Sequence, residues 1–268
     1  MQSKPLSKFG QIGRSLLKRF MYSQLMIFSG IKIAIGKEHP LVKFTVENDP
    51  PSIYWVYRIK ASKLEELEKK LGLPNQFSLC PIQCLDTDEP SYLMTMNAYR
   101  VSGLANGLRA EWSVFVRDAK NAPRYLIVDA RSSQRSLDPI DIITQASTVI
   151  HERRGETIFT QIGEGDNAFR SIITLSGLET PVVTSREWVS ANDTIYWGNG
   201  ICDRTFYDTG LSNAKQNRID KNQLEVRDES FWSQFVEPDP VHVLMYQNSI
   251  EFVISPWENI DRLHKEQA

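Results

Sequence analysis

Residues 53–175 run as a succession of short strand-like segments joined by tight turns, and this limits the possible folds more than any other feature. Residues 92–101 alternate apolar and polar side chains. They lead through Asn106-Gly107, a dipeptide suited to a two-residue hairpin turn, into 108–117. Lys120-Asn121-Ala122-Pro123 turns into 125–130. Residues 149–153 pair across Arg154-Gly155 with 157–162, and 163–167 turn into 169–175. Further on, 241–246 and 250–254 flank Gln247-Asn248-Ser249 and read as one more hairpin. Such spacing predicts a mainly β (β-rich α+β) antiparallel fold, a cone-shaped or closed β-barrel with a few peripheral helices, rather than a βαβ architecture.

The remaining segments fit around that frame. Residues 41–46 form a short strand, Asn48-Asp49-Pro50-Pro51 breaks the chain, and 53–59 is a strand rich in aromatic and β-branched residues. Ser62, with Glu65 three residues on, has the spacing of a capping box for a helix whose stripe is Leu64, Leu67 and Leu71 and which ends at Gly72 and Pro74. Residues 185–235 are rich in Asn, Asp, Gly and aromatics. They read as a long excursion with a helix near 214–223, serving as a lid or an oligomer contact. The expected organisation is a basic amphipathic helix over 1–40 and a β domain over 41–268.

Charge is unevenly placed. Residues 1–37 carry Lys4, Lys8, Arg14, Lys18, Arg19, Lys32 and Lys37 and no acid, against a net charge of −2 for the chain. Three readings stand: a helix packing Phe9, Ile12, Leu16, Phe20 and Phe28 on the acidic remainder or a second subunit, an organelle transit peptide, or a helix on an anionic membrane. A cytoplasmic location is expected, with organelle targeting or membrane association through this segment as the alternative. A β domain of this size has edges to cover, which points to a homo-oligomer. The near-neutral balance gives no basis for nucleic-acid binding.

No metal or cofactor is expected. Cys80, Cys84 and Cys202 are an odd number, remote in sequence from His39, His151, His242 and His264, and read as small buried hydrophobes. Gly163-Glu164-Gly165 is a turn and not a phosphate loop, because no Lys-Ser/Thr and no helix follow.

Candidate site residues cluster on one strand. By the period of two, Arg109, Glu111, Ser113 and Phe115 share one face of 108–117, and Leu108, Ala110, Trp112, Val114 and Val116 the other. The second face is a core stripe. The first mixes a cation, an acid, a hydroxyl and a ring; it lines a ligand pocket or faces solvent. Glu111 is the candidate general acid or base, and Arg100 or Arg131 a clamp for a substrate carboxylate. His151, at a strand end before a tight turn, is a further catalytic candidate or a solvated histidine. His242, alternating with Val241 and Val243 and pointing either into the barrel or away from it, is the second candidate.

In Tyr54-Trp55-Val56-Tyr57-Arg58, the helix over 64–71, Leu73-Pro74, and Arg109-Ala110-Glu111-Trp112-Ser113, the chain resembles the acetoacetate decarboxylase-like superfamily over about half its length. The resemblance implies a β container for a small molecule, with Glu111 in the place of that family's strand glutamate. It also implies a Schiff-base lysine whose amine pKa is lowered by a neighbouring cation, so that it is nucleophilic at neutral pH. Residues 131–139 read Arg-Ser-Ser-Gln-Arg-Ser-Leu-Asp-Pro and hold no lysine, and arginine does not yield a free amine at neutral pH. The expected function is therefore a small-molecule enzyme or enzyme-like protein acting on an oxo- or carboxyl-bearing substrate by acid–base chemistry without a Schiff base. The alternatives are a lipocalin-like carrier of a small apolar ligand, or a peripheral membrane or assembly module working through residues 8–28.

Overall fold

Two sheets share one apolar core. A computed structural model describes residues 42–73, 77–103, 106–119, 121–133, 148–177, 179–191, 193–198, 201–206 and 214–254, so the expected N-terminal helix lies outside the described residues. The strands in chain order are β1 (Val42–Val46), β2 (Ile53–Arg58), β3 (Ser78–Leu79), β4 (Leu93–Gly103), β5 (Gly107–Arg117), β6 (Pro123–Ser132), β7 (Val149–Arg154) and β8 (Thr157–Ile162). They continue as β9 (Phe169–Thr174), β10 (Thr180–Val182), β11 (Asp193–Gly198), β12 (Ile201–Phe206), β13 (Gln216–Arg218), β14 (Leu224–Asp228), β15 (His242–Tyr246) and β16 (Ile250–Ile254). The α-helices are α1 (Leu64–Leu71) and α2 (Arg186–Ser190).

The larger sheet has 12 strands, nine of them in the order β10-β13-β15-β2-β4-β5-β6-β11-β12, with β1 and β16 paired beside β4 and β3 paired to β5. The smaller has four, in the order β14-β9-β8-β7. Along both of these paths pairing is antiparallel except where β11 runs parallel to β6. The expectation of a predominantly antiparallel β fold is met. A closed barrel is not, since the path among the described strands runs open from β10 to β12.

Alternation explains the layering. On β2, β4 and β5 every second side chain (Trp55, Tyr57, Met94, Met96, Ala110, Trp112, Val114) enters a core completed from the small sheet by Val149, Ile158, Ile162, Phe169 and Ile173. Trp55 spans the layers. Its ring meets Phe169 edge-on at 4.9 Å, and its indole N–H donates to Ser171 Oγ at 3.2 Å. Intervening residues of the same strands face the opposite side of the large sheet. There Val56, Leu93, Phe115 and Leu244 pack with Trp188 of α2, whose N-cap Ser185 accepts the Trp188 N–H at 3.0 Å.

Four local expectations need correction. Ser62 makes no capping bond; residues Ala61–Lys63 form a 3₁₀ turn that feeds straight into α1, so no orphan amide is presented to its hydroxyl. Residues 241–246 and 250–254 are not a hairpin, because β15 lies between β13 and β2 while β16 pairs with β1. The helix near 214–223 is instead β13 followed by a 3₁₀ turn at Lys221–Gln223, closed by a capping box of Asp220 and Gln223. Asn217, Asp220 and Asn222 compete for backbone groups, while the place between β10 and β15 offers a strand its ladder. Lastly, 185–235 is no mere excursion, since it supplies four strands to the two sheets.

Candidate functional site

Glu111 sits at the middle of β5, opposite Asn97 on β4 and Ala130 on β6. Its side is the one turned away from the shared core. Glu111 is 3% exposed, and its carboxylate accepts from Arg109 Nε at 2.5 Å, an ion pair buried at both ends. Ser113 and Phe115 continue the face, both fully enclosed. The sequence pairing of these four residues is thus realised, and the face looks into the molecule, not to solvent.

Neighbouring strands complete it. Thr95 lies opposite Ser113, Asn97 opposite Glu111, and Tyr54 on β2 opposite Asn97. Tyr125 on β6 lies opposite Phe115, their rings 5.3 Å apart, and its hydroxyl is 2.6 Å from Thr95 Oγ1. Burial first, then the Glu111 charge, pushes the Tyr54 phenol up, against an opposing hydrogen bond from Asn97. Burial does the same for Tyr125, with Tyr54 and Glu111 adding to it and Ser113 and Thr95 opposing. Both phenols therefore stay protonated donors across the physiological range. Asn97 Oδ1 is sealed from solvent and has no hydrogen-bond partner in the protein, an arrangement that costs free energy unless something else supplies the bond.

Three predicted site residues lie elsewhere. Arg131 is turned to the other side of the sheet, because the β5–β6 register shifts between Trp112 and Ser113, leaving Val128 as an extra residue on β6. A one-residue bulge exchanges faces beyond it: Ala130 and Ser132 join Glu111, while Asp129 and Arg131 point away. There Arg131 binds Asp129 Oδ1 at 2.7 Å, and Asp129 Oδ2 accepts the Trp232 indole N–H at 3.1 Å. Burial raises the Asp129 carboxyl, with Arg131 opposing. Arg100 is exposed and shares the side of Ala98, not that of Asn97. It is therefore not a clamp beside Glu111.

His151 is neither solvated nor beside Glu111. It is fully enclosed on β7, where its Nε2–H donates to the Pro51 carbonyl at 2.9 Å and Nδ1 accepts from Thr160 Oγ1 at 2.9 Å. Burial lowers its pKa to about 4, with Arg100 acting in the same direction. Both nitrogens are occupied, so it serves as a neutral tie between the small sheet and the start of β2. His242 does lie on the Glu111 side. Its row runs through Val56 and Thr95 to Ser113, three strand spacings or roughly 14 Å away. Its Nε2–H donates to Asp88 Oδ2 at 2.8 Å.

Tyr54, Asn97, Thr95 and Tyr125 were not singled out from the sequence. Thr95, Asn97 and Tyr99 at every second position between Met94, Met96 and Ala98 carry the signal: a polar face on a strand whose other face is wholly core. Cys80 and Cys84 are buried free thiols, as expected, and burial pushes Cys80 up to about 11. Among the described residues no His, Cys, Asp and Glu cluster suits a metal ion, no lysine is buried, and no helix is long and apolar enough to cross a membrane.

At the level of whole folds, the chain is similar to an acetoacetate decarboxylase-like enzyme from Sphingomonas wittichii RW1, with a TM-score of 0.51 and 9% identity over 82% of this chain and 92% of that one. No protein-family model and no curated protein matches it.

Proposed function

We propose that this chain, which has the acetoacetate decarboxylase-like fold, binds a small oxo- or carboxyl-bearing, partly apolar molecule on the Glu111 face and acts on it by acid–base chemistry without a Schiff base. The observation that carries this reading is the buried Arg109–Glu111 pair set among protonated phenols and the unpartnered Asn97 Oδ1. Natural cores rarely leave a buried amide oxygen such as Asn97 Oδ1 without a bond, and a bound polar molecule supplies one. Phe115, Tyr125 and Ile127 offer it apolar walls.

The chemistry follows from the groups. Paired with a guanidinium, Glu111 is a carboxylate and therefore a base. It takes a proton from the carbon next to a substrate carbonyl; the C–H electron pair becomes the new C=C bond and the carbonyl π pair moves onto the oxygen. Tyr54 or Tyr125, held protonated, donates a hydrogen bond to the resulting enolate oxygen. Return of the proton regenerates the carboxylate, and the net result is exchange or isomerisation at that carbon. A second reading, carriage without turnover, is favoured by one observation: the carboxylate already spends an oxygen on Arg109 at 2.5 Å.

The test pairs a thermal-shift screen of keto acids, short to medium carboxylates and their esters with NMR detection of α-proton exchange in D2O. Ligands that stabilise the protein are expected to exchange, and Glu111→Gln to keep the stabilisation while exchange falls by about a hundredfold or more. Stabilisation without exchange by any bound ligand leaves the carrier. If no compound shifts the transition, the small-acid site itself is wrong.

A further inference from the structure

The small sheet ends on β14, and among the described residues no strand lies on its outer side. Backbone groups along an antiparallel strand point alternately to one flank and the other. The Glu229 N–H donates to the Ala168 carbonyl at 3.2 Å and so continues the β14–β9 register by one pair. Glu225 and Arg227 therefore turn their backbone groups to β9, and Leu224, Val226 and Asp228 turn theirs outward. The Leu224 N–H is consumed by the Lys221 carbonyl of the preceding 3₁₀ turn. The edge is left with the Leu224 carbonyl, the N–H and carbonyl of Val226, and the Asp228 N–H. By contrast β10, the end of the large sheet, has only three residues and contains Pro181, features that discourage an added strand.

The side chains of β14 read Leu-Glu-Val-Arg-Asp. Leu224 and Val226 pack on the core, while Glu225 and Arg227 are exposed on the outer face. Opposite charges thus flank Val226 on one face, and the strand is complementary to itself run in reverse.

We infer that β14 is a docking edge for a second copy of this chain, paired antiparallel about a two-fold axis at Val226, so that the small sheet continues across both copies. Val226 exchanges both backbone bonds with the partner's Val226, and the Asp228 N–H donates to the partner's Leu224 carbonyl. Glu225 stands directly opposite the partner's Arg227, and symmetry repeats the pair. Competing registers fail. A shift by one residue joins the core face of one copy to the outer face of the other. An axis at Glu225 or at Arg227 sets like charges opposite each other. Arg227 Nη2 also meets Glu229 of its own chain at 2.6 Å, but the guanidinium has further N–H donors and its side chain is 68% exposed. The pairing is independent of the chemistry proposed at Glu111.

Sedimentation equilibrium of the full chain is expected to give a monomer–dimer constant on the order of 10–100 µM, since so short an edge buries little area. Glu225→Arg or Arg227→Glu alone sets like charges across the junction twice and should weaken the dimer at least about tenfold. The double exchange, Glu225→Arg with Arg227→Glu, restores opposite signs and should return the constant to within about threefold of the parent's. Hydrogen exchange on the parent needs no variant to fold: the Val226 and Asp228 amides should slow as concentration rises, while those of Glu225 and Arg227, already bonded to β9, should not change. A chain still monomeric at about ten times the expected constant would overturn the proposal. So would a dimer indifferent to the single reversals, a double exchange that stays dissociated, or Val226 protection that does not depend on concentration.

Discussion

His151 shows how much a single side chain can reverse its sequence reading. A histidine flanked by Glu152 and Arg153 reads as solvated or reactive, yet the structure encloses it with both nitrogens bonded. Its pKa is lowered to about 4 from an ordinary 6.5, so below 6.5 the unfolded chain takes up a proton that the folded chain refuses. The stability it contributes is whole above pH 6.5 and declines as pH falls toward 4, by about 1.4 kcal/mol per pH unit across that window. His151→Gln, which does not titrate, is expected to be about 1–3 kcal/mol less stable than the parent at pH 7.5. The deficit should shrink by about 2 kcal/mol at pH 4.5. Urea unfolding of both proteins at the two pH values measures this; a deficit that stays constant would mean His151 is not held neutral. Arg131 teaches a related point. Its face was not legible, because a bulge at Val128 has no signature in the sequence, whereas the unbroken alternation of Arg109, Glu111, Ser113 and Phe115 needed only the period of two.

At the scale of elements, legibility followed sequence distance. The β4–β5, β7–β8 and β8–β9 hairpins and α1 are local, and their turn residues mark them. Gly72 ends α1 at φ 56 and donates its N–H to the Glu68 carbonyl. A Cβ there would touch nothing within 4 Å, so Gly72→Ala isolates the cost of the left-handed backbone. A loss of about 1–2 kcal/mol is expected from the urea midpoint, with Gly72→Asn losing less. The placement of β15 between β13 and β2 was not legible. Nothing in residues 241–246 distinguishes a hairpin with the following strand from a ladder with a strand at the other end of the chain. For the same reason β13, three residues long, was read as helix: the stabilising contacts come from β10 and β15, not from its own neighbours.

For the molecule as a whole, the sheets stand or fall together, because Trp55, Trp112 and Met96 of one and Phe169, Ile158 and Ile173 of the other form a single core. Urea curves followed by tryptophan fluorescence and by far-UV circular dichroism are therefore expected to coincide. Separate transitions would show that the small sheet has a core of its own. Reading the chain as a barrel erred for a related reason: evenly spaced strands report how many pairings there are, and not whether the last strand returns to the first.

The position of β15 also bears on how the protein is made. β2 leaves the ribosome roughly 180 residues before β15, the strand that pairs along its flank. At translation speeds of about 5–20 residues per second, the row of amides and carbonyls from Ile53 to Tyr57 waits on the order of tens of seconds for its partner. During that interval the nascent chain displays a strand edge carrying Trp55 and Tyr57, the kind of template on which unfinished copies join each other. Ribosome-associated chaperones thus have a defined client here, and a nonsense mutation ahead of His242 would produce an aggregating fragment rather than a smaller working protein.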